Sequence, residues 1–344
     1  MAASIPARLP VKIAVRLPNW LGDTVMAVPA IRALRDTSRD AQLLLAGPWV
    51  ELLAGQGLGD VLVAYPRRWT ARLRAADTVR SFGADTVVLF PNSFEAAATA
   101  RYWGGRRRIG FAGDGRRWLL TDAPRLPEPR LHQVGEYLRL VELFGAAATD
   151  REPRLTPPEP YGDTRQRARD LLLHNGAPEG KPMVGVHLGA AFGPAKVWVS
   201  ERIAEFCRLG PELGVVPVLL GAPSDAATAH EVLERIPAVS LVGRDSPDLL
   251  PSVLAEMAVL VAGDTGVAHL AAALGTPVVV LFGPTDPARS APLGCVAVMR
   301  HAVPCAPCFY RVCPIEHPCM RGISAAAVGE RVAALLSGTS WPRR

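Results

Sequence analysis

Asp23 lies at a junction between two kinds of sequence in the stretch VRLPNWLGDTVMAVPAIRAL, residues 15–34. An apolar run precedes this carboxylate, and apolar residues follow it at helical spacing, at Val25, Val28 and Ile31. At the start of a helix such a side chain can cap the free N–H groups of the first turn. It can also act as a general base that takes a proton from an attacking hydroxyl. The two roles are compatible, because the positive end of the helix dipole keeps the carboxylate ionised.

A second group of polar residues lies in VAGDTGVAHLAAALGTPVVVLFGPTDP, residues 261–287. An apolar strand ends before Asp264, Thr265 and Gly266, and a helix of small residues follows. The N-terminus of a helix offers free N–H groups and a positive dipole end, which suit a phosphate, and glycine lets the phosphate approach the backbone. His269 falls in the first helical turn and can face the same ligand. The alternative is an ordinary strand-turn-helix in which Asp264 caps the helix.

A glycine-containing loop carries Lys196 in VHLGAAFGPAKVW, residues 186–198, which also holds Gly189 and Gly193. The loop is not a Walker A motif, because Lys196 is not preceded by Gly and followed by Ser or Thr. A flexible loop that delivers one ammonium suits a diphosphate leaving group, whose developing negative charge it would neutralise. The chain has only three lysines among its 38 basic residues, which favours a specific role for this one. The alternative is a surface lysine on a loop.

Four cysteines cluster in CAPCFYRVCPIEHPC, at Cys305, Cys308, Cys313 and Cys319, with His317 among them. The opening C-x2-C pair is typical of zinc sites, and a structural Zn²⁺ would hold together a segment with little regular structure. The spacing after Cys308 is not that of a standard zinc finger, so a segment without metal stays open. Disulfides are disfavoured in the reducing cytoplasm expected for this chain.

Short apolar runs that alternate with helical patterns predict the elements that position these residues. Strands are predicted at 12–17, 42–46, 61–64, 86–90 and 108–111, and again at 183–188, 215–220, 239–242, 259–262 and 278–282. Helices are predicted between most of them, including 24–35 and 71–82. This alternation predicts an α/β chain with two doubly wound parallel sheets. Ligands of such sheets bind at the carboxyl ends of the strands, where Asp23, Lys196 and Asp264 fall.

The Pro-rich segment 151–163 separates the two halves and is typical of a linker. We therefore expect an N-terminal domain over 1–155, a linker and the start of the second domain over 156–180, and a C-terminal domain over 181–344 that includes the cysteine-rich segment 305–319.

Charge and hydropathy restrict the possible partners and location. Residues 1–150 hold 20 basic and 14 acidic side chains, whereas residues 151–344 hold 18 of each, so the whole net charge of +6 lies in the first half. A basic surface favours nucleic acid, anionic lipid or a phosphorylated substrate, and the alternative is ordinary solvated surface. No apolar run reaches the ~18 residues that span a bilayer, and the first residues lack the pattern of a signal peptide. We expect a soluble, cytoplasmic protein.

Four stretches in this order resemble glycosyltransferase family 9, and within it the lipopolysaccharide heptosyltransferases: LGDTVMAVPAIRAL, LFPNSF, LGAAFGPAKVW and GDTGVAHLAAALGTPVVVLFGPTDP. The resemblance runs from about residue 11 to about residue 335. It implies the GT-B fold, in which two Rossmann-like domains face each other across a cleft and the C-terminal domain holds most of the nucleotide sugar. It also implies inverting transfer from ADP-L-glycero-D-manno-heptose to the lipid A–Kdo inner core, without a catalytic metal. The enzyme would work as a peripheral protein on the anionic cytoplasmic face of the inner membrane.

The resemblance also assigns roles to individual residues. Asp23 matches the general base, Lys196 the lysine beside the donor diphosphate, and Asn92 and Ser93 an element that faces the cleft. The donor-binding set comprises Gly189, Lys196, Asp264, Thr265, Gly266 and His269. The candidates for acceptor phosphates and Kdo carboxylates are Arg106, Arg107, Arg108, Arg116 and Arg117.

This sequence departs from the family pattern at two places. Val199 stands where a proline often follows the lysine, and Ala190 and Ala191 occupy the loop in which a glutamate is often found. The missing carboxylate leaves open a family 9 transferase that uses another nucleotide sugar. An alternative of a different class is a basic nucleic-acid-binding protein, which is disfavoured because no recognised module or interleaved aromatic pattern accompanies the charge.

Overall fold

The structure, a computed structural model, describes residues 11–66, 68–146, 150–244 and 246–338. The chain divides into two compact units, Met1–Arg151 and Glu152–Arg344. Within the described residues, no helix combines the length and the apolar character that crossing a membrane requires.

Unit 1 is built on one five-stranded parallel sheet. Its strands are β1 (Lys12–Arg16), β2 (Gln42–Gly47), β3 (Val61–Ala64), β4 (Thr86–Leu89) and β5 (Arg107–Ile109), and its helices are α1 (Leu21–Met26), α2 (Val28–Thr37), α3 (Trp69–Phe82), α4 (Phe94–Tyr102) and α5 (Gln133–Val141). The strand order is β3-β2-β1-β4-β5. Short 3₁₀ turns occur at Val50–Leu53, Arg117–Leu119 and Glu142–Phe144.

Unit 2 repeats this architecture with a six-stranded parallel sheet of order β11-β10-β9-β6-β7-β8. Its strands are β6 (Met183–His187), β7 (Val216–Leu220), β8 (Val239–Ser240), β9 (Val259–Gly263), β10 (Val278–Phe282) and β11 (Val296–Arg300). Its helices are α6 (Asp163–His174), α7 (Ser200–Arg208), α8 (Gly210–Leu213), α9 (Ala226–Leu233), α10 (Leu250–Ala255), α11 (Gly266–Ala273), α12 (Pro287–Ser290), α13 (Pro318–Arg321) and α14 (Ala325–Gly338). The 3₁₀ turns are Pro194–Lys196 and Pro223–Asp225.

Strands β9 and β10 are apolar along their whole length, because helices cover both faces of a parallel sheet. Every residue of β9 and β10 is buried, as is every residue of β4. This pattern is the reason that all ten predicted strands are confirmed, with ends that shift by at most two residues.

Two predictions about local structure are wrong. The helix predicted over 24–35 is two helices that meet at Ala27, because Pro29 in the first turn of α2 has no N–H for a continuous helix. Asp23 is not the N-cap residue: Trp20 occupies the N-cap of α1, and Asp23 is the third helical residue. It still lies in the first turn, where the helix dipole favours negative charge.

Candidate active site

An ion pair between Lys196 and Asp264 forms the centre of the site in unit 2. Asp264 directly follows β9, and Lys196 ends the 3₁₀ turn that follows β6, the neighbouring strand. Lys196 Nζ lies 2.5 Å from Asp264 Oδ2 and 3.2 Å from the main-chain oxygen of the same residue. The side chains are only 11% and 6% exposed. Because both charged groups are largely shielded from water, their ion pair holds the ammonium of Lys196 at the carboxyl edge of the sheet.

Three further side chains surround the carboxylate of Asp264. Thr285 donates a hydrogen bond of 2.8 Å to Oδ2, and His269 Nε2 lies 4.0 Å from Oδ1. Thr265, and not Asp264, takes the N-cap position of α11, but its side chain makes no capping bond. Its buried Oγ1 has no hydrogen-bond partner among the described residues. A buried hydroxyl without a partner at a helix N-terminus is suited to a ligand oxygen.

Glycine at position 263 permits the close approach of these two segments. A Cβ there would overlap the main-chain oxygen of Lys196. The last residue of β9 and the lysine loop are therefore in backbone contact, which explains how a residue 68 positions away reaches Asp264.

The lysine loop also packs against the cysteine-rich segment. Lys196 Nζ lies 4.7 Å from the centre of the Phe192 ring, and the guanidinium of Arg311 lies 5.4 Å from the same ring. Ala195 N donates to the main-chain oxygen of Arg311 at 3.1 Å. The sequence did not indicate this contact, because no pattern connects positions 116 residues apart.

Gly189 lies beside two polar residues that sequence reasoning missed, His187 and Asp225. A Cβ at Gly189 would overlap the carboxylate of Asp225, which accepts a hydrogen bond from Ala222 N at 2.8 Å. Burial lowers the pKa of His187, and the charge of Asp225 opposes this shift. His187 could have been identified as a candidate, because it lies at the end of a predicted strand.

Asp23 lies at the carboxyl edge of the sheet in unit 1, half-buried in α1 after β1. Burial and then the nearby negative charge of Asp23 raise the pKa of Tyr137, on α5, well above its ordinary value. The negative charge of Asp23 therefore acts on the buried side chain of Tyr137.

The loop that leads to Asp23 is organised by Arg16, which sequence reasoning also missed. This last residue of β1 is fully buried and donates to Leu17 O at 2.5 Å and to Asn19 Oδ1 at 2.7 Å. Its guanidinium lies 4.6 Å from the centre of the Tyr65 ring. Burial lowers its pKa to about 10. Nothing in the alternating strand and helix pattern distinguishes such a buried arginine from a solvated one.

Asn92 and Ser93 follow β4 at the same edge, where both have structural partners. Ser93 caps α4 by accepting from Ala96 N at 3.2 Å, and Asn92 Oδ1 accepts from Arg116 Nη2 at 3.1 Å. Arg116 is fully buried and also donates to Pro91 O and Ser93 O. The prediction that Arg116 contacts an acceptor is therefore wrong: its side chain is enclosed and holds this loop in shape. Arg117 is exposed.

Arg106, Arg107 and Arg108 are not brought together with Asp23. Arg107 begins the edge strand β5 and pairs with Thr86, the first residue of β4, so the triplet starts at the amino edge of the sheet. Arg106 pairs with Asp85 at 2.8 Å, and Arg107 pairs with Asp122 at 2.9 Å. Arg108 donates to main-chain oxygens of its own unit at 2.7 Å. Each of the three guanidiniums thus has a partner within its own unit.

The four cysteines carry free thiols. Burial raises the pKa of Cys319, and Cys305 and Cys313 lie close enough to raise it further. Within the ranges that the structure describes, however, no group of three or more His, Cys, Asp or Glu side chains is arranged to hold a metal ion.

Two units, each built on a parallel Rossmann-like sheet, place the chain in the GT-B fold class. The sequence model of glycosyltransferase family 9 (heptosyltransferase) matches residues 72–318, and the chain belongs to this family. It is 28% identical over 304 residues to lipopolysaccharide heptosyltransferase 2 of Escherichia coli (strain K12), covering 82% of this chain and 85% of the relative. It is 42% identical over 318 residues to lipopolysaccharide heptosyltransferase 1 of Pseudomonas aeruginosa, covering 86% and 85%. The solved structure of E. coli ADP-heptose lipopolysaccharide heptosyltransferase II aligns with a TM-score of 0.78 at 25% identity, covering 95% of this chain and 99% of that one.

Proposed function

We propose that the protein transfers a heptose from ADP-L-glycero-D-manno-heptose to the inner core of lipopolysaccharide, with heptosyl-Kdo-lipid A as acceptor. The family and the names of the relatives support this reaction. The observation that carries it is the Lys196–Asp264 ion pair beside the N-terminus of α11, which forms a site for a diphosphate next to a carboxylate that can bind sugar hydroxyls.

In this proposal unit 2 binds the donor. The ammonium of Lys196 and the free N–H groups of α11 receive the negative charge that develops on the diphosphate as it leaves. The unpartnered hydroxyl of Thr265 donates to a phosphate oxygen, and Gly266 leaves room for it. Asp264 and His269, at 4.0 Å from each other, hold the hydroxyls of the sugar.

Asp23 acts as the general base. The acceptor hydroxyl attacks the anomeric carbon as the bond from that carbon to the diphosphate oxygen breaks, and Asp23 takes the hydroxyl proton. Asp23 lies in the first turn of α1, where the helix dipole favours negative charge, and it accepts the proton late, when the attacking oxygen has become acidic. Direct attack inverts the anomeric centre and forms no covalent enzyme intermediate.

The acceptor is bound in this proposal by the loops at the carboxyl edge of unit 1, including Asn92 and Ser93. The enzyme works in the cytoplasm as a peripheral protein on the anionic face of the inner membrane, where the +6 charge of residues 1–150 supports attraction to anionic lipid. Arg106, the most exposed of the arginine triplet at 86%, suits contact with that surface better than contact with the reacting sugar.

No metal takes part in this mechanism. The thiols of Cys305, Cys308, Cys313 and Cys319 have the chemistry that zinc favours, but among the residues that the structure describes no group of three or more His, Cys, Asp or Glu side chains could hold a metal ion. A structural zinc at these cysteines stays a prediction, which elemental analysis of the purified protein checks. One zinc per chain, lost in Cys305→Ser, would show the site.

Thermal shifts with a panel of nucleotide sugars test the donor, because a ligand that binds only the folded protein raises Tm. We expect ADP-heptose to raise Tm more than UDP- or GDP-sugars do. A larger shift with another nucleotide sugar would favour the alternative family 9 donor, and a shift with nucleic acid alone would favour the alternative of a different class.

Product analysis with two acceptors tests the acceptor. The relative named heptosyltransferase 1 is 42% identical, which supports transfer to Kdo-lipid A without heptose as a second candidate function.

Asp23→Ala tests the base: we expect transfer to fall by ~10²–10⁴-fold while ADP affinity stays unchanged. Asp36→Ala, an exposed carboxylate on α2, is the matched control. Transfer by Asp23→Ala within a few-fold of wild type would leave the base unassigned.

A further inference from the structure

Arg311 is a cation at the edge of the donor site that the mechanism above does not use. It lies in the cysteine-rich segment, 115 positions after Lys196, yet both side chains approach the same ring of Phe192. Its main-chain oxygen accepts the hydrogen bond from Ala195 N, so the backbone as well as the side chain is anchored to the lysine loop.

Gly193 shows that this contact is built into the loop. Its φ of +151° is a conformation that L side chains rarely adopt, and a Cβ there would lie 2.5 Å from the main-chain oxygen of Arg311. Only glycine at this position lets the cysteine-rich segment approach so closely.

The charges of the site explain why another cation is needed. Asp264 already neutralises Lys196 at 2.5 Å, so the pair brings no net charge to a ligand. The diphosphate of a nucleotide sugar carries two negative charges, and the nucleoside diphosphate that leaves carries more. The guanidinium of Arg311 is exposed and has neither a carboxylate partner nor a hydrogen-bond acceptor among the described residues.

The geometry of an arginine stacked on an aromatic ring suits this task. A guanidinium held over an aromatic ring can keep the N–H groups at its edges free for a phosphate. Because the ring already restricts the side chain, fewer rotamers are lost when it binds. Sequence patterns gave no sign of this role, because the residue lies among cysteines whose spacing suggests metal binding.

We propose that Arg311 binds the diphosphate of the nucleoside diphosphate donor and product, as a second cation beside Lys196. This inference rests on the donor site assigned under the proposed function. In this inference the cysteine-rich segment contributes a ligand-binding residue to the donor site and is not only a structural segment.

The test is ADP binding, measured by calorimetry, with adenosine as the ligand that lacks the phosphates. Arg311→Ala removes the guanidinium but keeps the main-chain oxygen that Ala195 contacts. We expect ADP to bind about three- to tenfold more weakly and adenosine to bind unchanged, because a charge-assisted hydrogen bond is lost at a partly exposed site. Arg311→Lys should recover part of the affinity. Arg321→Ala is the matched control, since that arginine lies just after the cysteine-rich segment and its guanidinium donates to Glu316 O within it.

Equal ADP affinity in Arg311→Ala and wild type would overturn the inference while leaving the donor site in place. Equal losses for ADP and adenosine would also overturn it, because the side chain would then act on the shape of the loop and not on the phosphates. A wild-type protein that binds no ADP would overturn the donor proposal itself.

Discussion

Replacing Asp264 by Asn tests whether the ion pair with Lys196 organises the donor site. The variant keeps the size of the side chain and an oxygen for the hydrogen bond from Thr285, but it removes the negative charge. The ammonium of Lys196, 11% exposed, is then left in the protein without its counterion.

The expected loss of stability follows from this burial. Removing one partner of a buried ion pair costs ~3–5 kcal/mol, because the remaining charge is poorly hydrated. Both side chains keep some exposure, so we expect the lower end of this range, about 3 kcal/mol in the free energy of unfolding of unit 2. For a unit of this length each kcal/mol lowers Tm by ~2–4 °C, so the decrease in Tm should be ~6–12 °C.

Urea unfolding of Asp264→Asn, Lys196→Met and the double variant measures the coupling of the pair. The double variant should be more stable than Asp264→Asn alone, because replacing both partners leaves no buried charge. ADP should stabilise Asp264→Asn more than wild type, since its diphosphate supplies the missing negative charge. A stability of Asp264→Asn within ~0.5 kcal/mol of wild type, the usual range for surface substitutions, would refute this account of the pair.

Two further predictions concern unit 2. Gly193→Ala should lower both stability and ADP affinity, because its Cβ would collide with the Arg311 backbone. The control is Gly180→Ala, at a positive φ with open space around it, which should cost only about 1–2 kcal/mol and leave ADP affinity unchanged. Urea unfolding measures the stability of both variants, and calorimetry measures their ADP affinity. Equal losses in the two variants would contradict the close contact at Gly193. Burial lowers the pKa of His187, so the unfolded chain takes up its proton first as the pH falls, and stability should decrease below about pH 6.5. His187→Gln should flatten this dependence in unfolding curves between pH 7 and pH 5; an unchanged slope would assign it to other groups.

The sequence predicted the sheets well because parallel strands must be apolar on both faces. β9 and β10 are continuous runs of buried residues, and they could be identified without knowledge of their partners. β11 was missed although its sequence, VAVMR, is apolar; it is an edge strand in which no residue is fully buried.

The site was predicted where it depends on local sequence and missed where it depends on contacts distant along the chain. The turn at Asp264 follows from a strand that ends before a helix, and its pairing with Lys196 follows from the adjacency of β6 and β9. The burial of Arg16 and Arg116 could not be seen, because a buried arginine and a solvated one look alike in sequence. The contact of Arg311 with Phe192 depends on how an irregular segment folds back over the sheet.

The strand order of unit 2 has a consequence for how the chain is made. β6 is a central strand, but its neighbour β9 comes much later: Val184 pairs with Val259, 75 positions further on. At the usual pace of synthesis, 5–20 residues per second, one edge of β6 stays unpaired for ~4–15 s while the rest of the sheet is being translated. An open apolar edge of this kind invites pairing with other chains. Nascent chains that stall between residues 188 and 258 are therefore expected to aggregate and to need the help of chaperones, whereas chains that have passed β9 can cover this edge of β6 themselves.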